Sequence, residues 1–96
     1  EDAQKAAEFF AEGNKHFQNR RYDRAIAAYD KAIELNGSDF SFYNNRGLAY
    51  YARRKYPEAI NDFTRAVELS PENSITYNNR GVAYEEIGDR DRAVAD

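Results

Sequence analysis

Apolar side chains return every three or four residues along almost the whole chain. Tyr22, Ala25, Ile26, Tyr29, Ala32 and Ile33 make one apolar face, and Tyr56, Ala59, Ile60, Phe63, Ala66 and Val67 repeat it 34 residues later. A second stripe runs through Phe9, Gly13, His16 and Phe17, and again through Tyr43, Gly47, Tyr50 and Tyr51. Turn chemistry separates these faces. Asn36-Gly37-Ser38-Asp39 ends one helix and offers Ser38 or Asp39 as the next N-cap. Ser70-Pro71-Glu72-Asn73 is its counterpart, with Asn73 as the cap, and Gly88-Asp89 reads as a third turn. Pro57 falls in a first helical turn, where its missing N–H costs nothing. The pattern predicts helices over 3–19, 22–35, 40–53, 56–69 and 74–87, with a stub at 90–96. The short connections make neighbours antiparallel.

The punctuation also repeats. Gly13, Gly47 and Gly81 are spaced 34 apart, as are Ala25, Ala59 and Ala93. Tyr43-Asn44-Asn45-Arg46-Gly47-Leu48-Ala49-Tyr50 returns as Tyr77-Asn78-Asn79-Arg80-Gly81-Val82-Ala83-Tyr84. A fixed period of this size means stacked units in place of one globular core. Each interior glycine costs a helix about 1 kcal/mol against alanine, so three in register imply close helix packing that offsets the cost.

These residues at these offsets resemble the tetratricopeptide repeat (TPR), and the resemblance covers essentially the whole chain. Its first aromatic falls on Phe9, Tyr43 and Tyr77, and its glycine on Gly13, Gly47 and Gly81. The next aromatic falls on His16, Tyr50 and Tyr84. The second helix supplies Ala25, Ala59 and Ala93, then Tyr29 and Phe63, then Ala32 and Ala66. The closing proline is Pro71, replaced by Gly37 in repeat one. The resemblance implies an all-α fold, a right-handed superhelical stack of about two and a half repeats, five helices plus a stub. It reads 1–96 as a single domain, with repeats at 6–39 and 40–73 and a partial third at 74–96.

In that family the first helix of each repeat lines a concave groove where partners lie. The groove positions here are Ala7, Phe10, Ala11, Asn14 and Phe17, then Ser41, Asn44, Asn45, Leu48 and Tyr51, then Ile75, Asn78, Asn79, Val82 and Glu85. Asparagine carries both a donor and an acceptor, so a series of them can hold the backbone of an extended peptide whatever its sequence. Asn45 and Asn79 resemble the asparagine ladder of peptide-binding TPR arrays, which Ala11 interrupts in repeat one. Phe10, Phe17, Leu48, Tyr51, Ile75 and Val82 would supply apolar pockets. The other reading of the asparagines, Asn44 and Asn78 included, is polar solvated positions repeated by duplication. The family's carboxylate clamp for chaperone tails needs two asparagines and basic partners. Asn14 and Asn45 match the former, but the basic positions fall on Phe10, Ile75 and Asn79, none of which pairs with a carboxylate.

Charge and composition narrow the chemistry. The net charge of −3 and pI near 5.2 give no global attraction to nucleic acid or an anionic membrane. No apolar run reaches the length of a membrane span, so direct membrane insertion is not expected. There is no cysteine, which excludes disulfides and thiolate metal sites and leaves the compartment open, cytoplasmic being only the default. His16, the single histidine, sits at an aromatic position of the repeat and reads as a packed ring. No phosphate loop, metal cluster or nucleophile–base pair is legible, so no enzyme and no cofactor is expected. Arg20, Arg21, Arg53, Arg54 and Lys55 recur at equivalent turns and should gather on one edge, as a solvated run or a seat for an acidic group. Arg46 and Arg80 should pair with acids on neighbouring helices.

The expected function is a non-catalytic scaffold that binds a peptide or helix of a protein partner in the groove. Two alternatives stand beside it. One is self-assembly as a homo-oligomer through an open C-terminal face carrying Tyr77, Ala83, Tyr84 and Ile87. The other is a substrate-recruiting segment of a larger enzyme.

Overall fold

The computed structural model describes the backbone of residues 1–95 and the side chains of residues 1–89. Five α-helices follow in order: α1 (Asp2–Gln18), α2 (Tyr22–Leu35), α3 (Phe40–Ala52), α4 (Tyr56–Leu69) and α5 (Ser74–Ala95). α1 packs on α2 and α3 on α4, and α2–α3 and α4–α5 contacts stack these hairpins in sequence. The fold is an all-α stack of helix hairpins, as the period of 34 and the resemblance imply. It is elongated, 53 × 29 × 18 Å. Its apolar interior is a series of clusters. Ala6, Ala32 and Phe42 form the first, Ala25, Tyr29 and Ala49 the next, and Ala59, Ile60, Phe63 and Ala83 the last.

The caps fall where the turn chemistry put them. The Asp39 carboxylate accepts from Ser41 N–H at 2.9 Å, and the Asn73 amide oxygen accepts from Thr76 N–H at 3.3 Å. Glycine sets the hairpin spacing. A Cβ on Gly13 would lie 2.5 Å from a Tyr29 ring carbon, and one on Gly47 would lie 2.6 Å from Phe63. The aromatic of the second helix therefore lies flush on the backbone of the first.

The α1–α2 and α3–α4 turns share one geometry. Arg20 and Arg54 are left-handed, at φ 62 and 61. Arg21 N–H donates to the His16 carbonyl and Lys55 N–H to the Tyr50 carbonyl, both at 2.9 Å, which closes the helix end. Phe17 packs edge-on against Tyr22, and Tyr51 against Tyr56, across these turns.

One expectation is corrected here. Gly88 stands at the register of Arg20 and Arg54, yet it lies inside α5, which continues to Ala95 with no turn and no separate stub. The physical reason lies in the flanking residues. Where the earlier turns have the aromatic pairs Phe17–Tyr22 and Tyr51–Tyr56, this one has Glu85 and Arg90. No aromatic contact locks the reversal, and a single glycine costs a helix only about 1 kcal/mol.

Candidate functional site

The first helices of the three units, α1, α3 and α5, stand side by side and present Asn14, Asn45, Asn44 and Asn79 along one wall. Their amides are joined. Asn45 Nδ2 donates to Asn14 Oδ1 at 2.9 Å, and Asn79 Nδ2 donates to Asn44 Oδ1 at 3.2 Å. A longer contact, Asn44 Nδ2 to Asn45 Oδ1 at 3.4 Å, links the two halves. The Tyr29 hydroxyl donates to Asn14 Oδ1 at 2.6 Å, and the Thr76 hydroxyl to Asn44 Oδ1 at 3.2 Å. Both lone-pair positions of Asn14 Oδ1 and of Asn44 Oδ1 are thus taken, and the acceptors left to a ligand are on Asn45 and Asn79. Burial pushes the Tyr29 hydroxyl up to about 12, with the Asn45 amide acting in the opposite sense, so Tyr29 stays a donor at neutral pH.

Two cavities flank this network. One of about 300 Å³ lies between α1 and α3 and is lined by Asn14, Phe17, Gln18, Tyr29, Asn45 and Leu48. The other, about 70 Å³, lies between α3 and α5 and is lined by Leu48, Tyr51, Phe63, Asn79 and Val82. Leu48 is the ridge between them. The floor of each is the aromatic that fills a glycine slot, Tyr29 in one and Phe63 in the other. At the outer rim, the Tyr51 hydroxyl donates to Glu86 at 3.3 Å. No Lys, Arg or His lines either cavity.

Among the groove positions, Asn14, Phe17, Asn45, Leu48, Tyr51, Asn79 and Val82 line these cavities, and Asn44 joins the network from beside them. Asn78 is exposed away from both cavities, and so is Ile75, at 66 %. Phe10 is placed differently from the expectation. Its ring packs 4.8 Å from Phe42 and 5.7 Å from Tyr29, centroid to centroid, and fills the junction of α1, α2 and α3 instead of lining a cavity. Thr76, Tyr29 and Gln18 were not among the sequence candidates. Thr76 had a signal: a hydroxyl replaces Phe42 of the preceding repeat, at a fully buried position.

On the face of the hairpins away from the asparagine wall, Arg46 holds the Asp62 carboxylate with two hydrogen bonds of 2.8 Å and reaches Asp30 at 2.8 Å. It joins α3 to its own hairpin partner and to the preceding hairpin. The carboxylates raise the Arg46 pKa, Asp62 foremost, while burial pushes Asp62 itself up against the pull of Arg46. Among the described residues, Arg80 meets the Thr64 hydroxyl, at 3.4 Å, and the Tyr77 ring. Arg20, Arg21, Arg24 and Arg53 line a shallow cleft of about 460 Å³ with Tyr22 and Asp23, and Arg53 pairs with Asp23 at 3.0 Å. His16 is a half-buried ring whose Nδ1 is buried without a partner.

The α5 face expected to be open divides in two. Ala83 is fully buried and Ile87 packs with it on Ala59, Ile60 and Phe63, because residues four apart share the stripe that meets α4. Ile87 is therefore committed within the fold. Tyr77 and Tyr84 are exposed, at 42 and 55 %, and no described atom beyond its own helix backbone lies within 4 Å of where a Cβ on Gly81 would stand. No group of three or more His, Asp or Glu placed to hold a metal occurs among the described residues, and none of their helices is long and apolar enough to cross a membrane.

Stacked helix hairpins with a continuous wall of first helices define a helical-repeat protein. Its family follows from comparison: the tetratricopeptide repeat model matches residues 10–74 and 46–96, and the chain belongs to that family. The Arabidopsis OM64 TPR domain superposes with a TM-score of 0.90 at 27 % identity, over 99 % of this chain and 78 % of that one. The second TPR of Spaghetti (RPAP3), solved bound to the HSP90 peptide SRMEEVD, gives 0.87 at 32 % identity, over 97 % and 86 %. The STIP1 homolog of Dictyostelium discoideum is 46 % identical over 46 residues, which is 48 % of this chain and 8 % of that protein's length. The chain thus spans a small part of the curated relative it matches.

Proposed function

We propose that this chain is a non-catalytic protein-interaction module that holds an extended peptide of a partner against α1, α3 and α5. The observation that carries the reading is the joined amide row Asn14–Asn45–Asn44–Asn79 flanked by two cavities. Asn45 and Asn79 each keep donor and acceptor capacity for a peptide backbone, while Phe17, Leu48, Tyr51 and Val82 contact side chains. The Spaghetti neighbour, which binds an HSP90 peptide, supports peptide binding on this fold.

Selection of random heptapeptides on this chain and on an Asn45→Ala/Asn79→Ala variant tests the reading. Peptides enriched on the first should weaken at least about tenfold on the second, the loss of one to two hydrogen bonds. Enrichment that is unchanged by the double substitution would contradict it.

A second reading is self-association through the face of Tyr77, Gly81 and Tyr84, favoured by the exposed rings and the empty glycine slot. Sedimentation over a concentration series separates the two, since this reading requires oligomers that Tyr84→Ser abolishes and the asparagine substitutions leave intact.

A further inference from the structure

We infer that the groove selects an extended segment that pairs a large amphipathic side chain with a small aliphatic one and a basic neighbour, and that it rejects acidic segments. The inference rests on the peptide-binding reading above and specifies its ligand. The two cavities differ in size and character. The α1–α3 cavity, about 300 Å³, has the amides of Asn14, Gln18 and Asn45 beside Phe17 and Tyr29, so it suits a large side chain with a polar tip. The α3–α5 cavity, about 70 Å³, has Leu48, Tyr51, Phe63 and Val82 around a single amide, so it admits a small aliphatic group. They lie one unit apart. Adjacent helices sit about 8–10 Å apart, and an extended backbone advances about 3 Å per residue, which places the two side chains about three residues apart.

Charge fixes the remaining position. The three positions that would carry cations in a carboxylate clamp are Phe10, Ile75 and Asn79. Arg46 and Arg80 turn to the opposite face, toward Asp62, Asp30 and Thr64. Among the described residues, the carboxylates acting on Tyr51 at the rim of the small cavity are Glu86, oriented by the Tyr51 hydroxyl, and Glu85 on the same turn of α5. A lysine or arginine next to the small aliphatic residue meets Glu86, whereas an aspartate or glutamate there meets like charge, and no Lys or Arg among the described residues lines the cavity to offset it.

The test is the heptapeptide selection run also on Glu86→Lys and Glu86→Gln, with folding of each followed by circular dichroism. Peptides that depend on Asn45 and Asn79 should carry a basic residue beside a small aliphatic one. Glu86→Lys should exchange that basic residue for an acidic one, and Glu86→Gln should remove the preference. A synthesised basic peptide from the selection should bind about two- to fivefold more weakly in 0.5 M than in 0.05 M salt. Groove-dependent peptides that are acidic, or whose charge ignores both Glu86 variants, would overturn the inference and leave peptide binding standing. Absence of any groove-dependent peptide would overturn both.

Discussion

Arg46 and Arg80 occupy the same register in successive units, and so do Gly47 and Gly81, yet the α3–α4 hairpin uses both residues and α5 uses neither in the same way. Arg46 lies against two carboxylates and the Tyr43 and Tyr50 rings. Gly47 is covered by Phe63. Among the described residues, Arg80 has one hydroxyl and one ring, and Gly81 has no atom beyond its own helix backbone within 4 Å of where a Cβ would stand. The difference shows that the repeated residues become structural only when a second helix meets them. The local sequence Asn-Asn-Arg-Gly is the same in both places. What turns it into a junction is Asp62-Phe63, one helix away.

Breaking the junction should give the largest effect. Arg46→Ala leaves Asp62, 5 % exposed, as a buried carboxylate without its bidentate partner, and should cost about 3–5 kcal/mol by urea denaturation. Arg80→Ala should change stability by less than about 0.5 kcal/mol. The glycines should differ in sign. Gly47→Ala forces a methyl into the Phe63 ring and should destabilise by about 1–3 kcal/mol. Gly81→Ala meets nothing and should stabilise by up to about 1 kcal/mol through helix propensity. Equal effects at the two sites would remove the distinction drawn between the hairpin and α5.

Tyr29 sharpens the same comparison in the first hairpin. Its folded pKa, about 12, lies above the ordinary 10.0. Its contribution is complete below pH 10 and is lost as pH rises through 12, because the unfolded phenol ionises first. The Tyr29 contribution to stability should fall by about 2 kcal/mol across that window, and Tyr29→Phe should make that part of the curve shallower, with Tyr50 and Tyr51, also pushed up by burial, supplying the remainder. The turns give a smaller effect than the Arg46 junction. Arg54→Gly relieves a left-handed arginine and should stabilise by about 1 kcal/mol by thermal melting. Gly88→Ala, within a continuous helix, should stabilise by a similar amount.

Most of the helical architecture was legible because period and punctuation agreed. The α2 and α4 spans match the apolar faces, and Asp39 and Asn73 cap α3 and α5 as turn chemistry predicts. Gly88-Asp89 has the composition of a turn, yet the aromatic pair that spans each earlier turn is absent there and the helix runs on. The asparagines stood out by repetition, but their partners did not. Whether Asn45 faces Asn79 or Asn14 depends on how two helices sit across the stack. Phe10 carries the same apolar label as Phe17, and only the positions of Phe42 and Tyr29 decide that one packs inward and the other lines a cavity.

The most direct measurement is a titration of the ¹⁵N-labelled chain with a selected peptide, following the side-chain amide resonances of the asparagines. The account predicts that Asn14, Asn45 and Asn79 amides shift saturably, together with backbone signals of Phe17, Leu48, Tyr51 and Val82, while Tyr77 and Tyr84 stay in place. Shifts centred on Tyr77, Gly81 and Tyr84, with the asparagine amides unmoved, would contradict it.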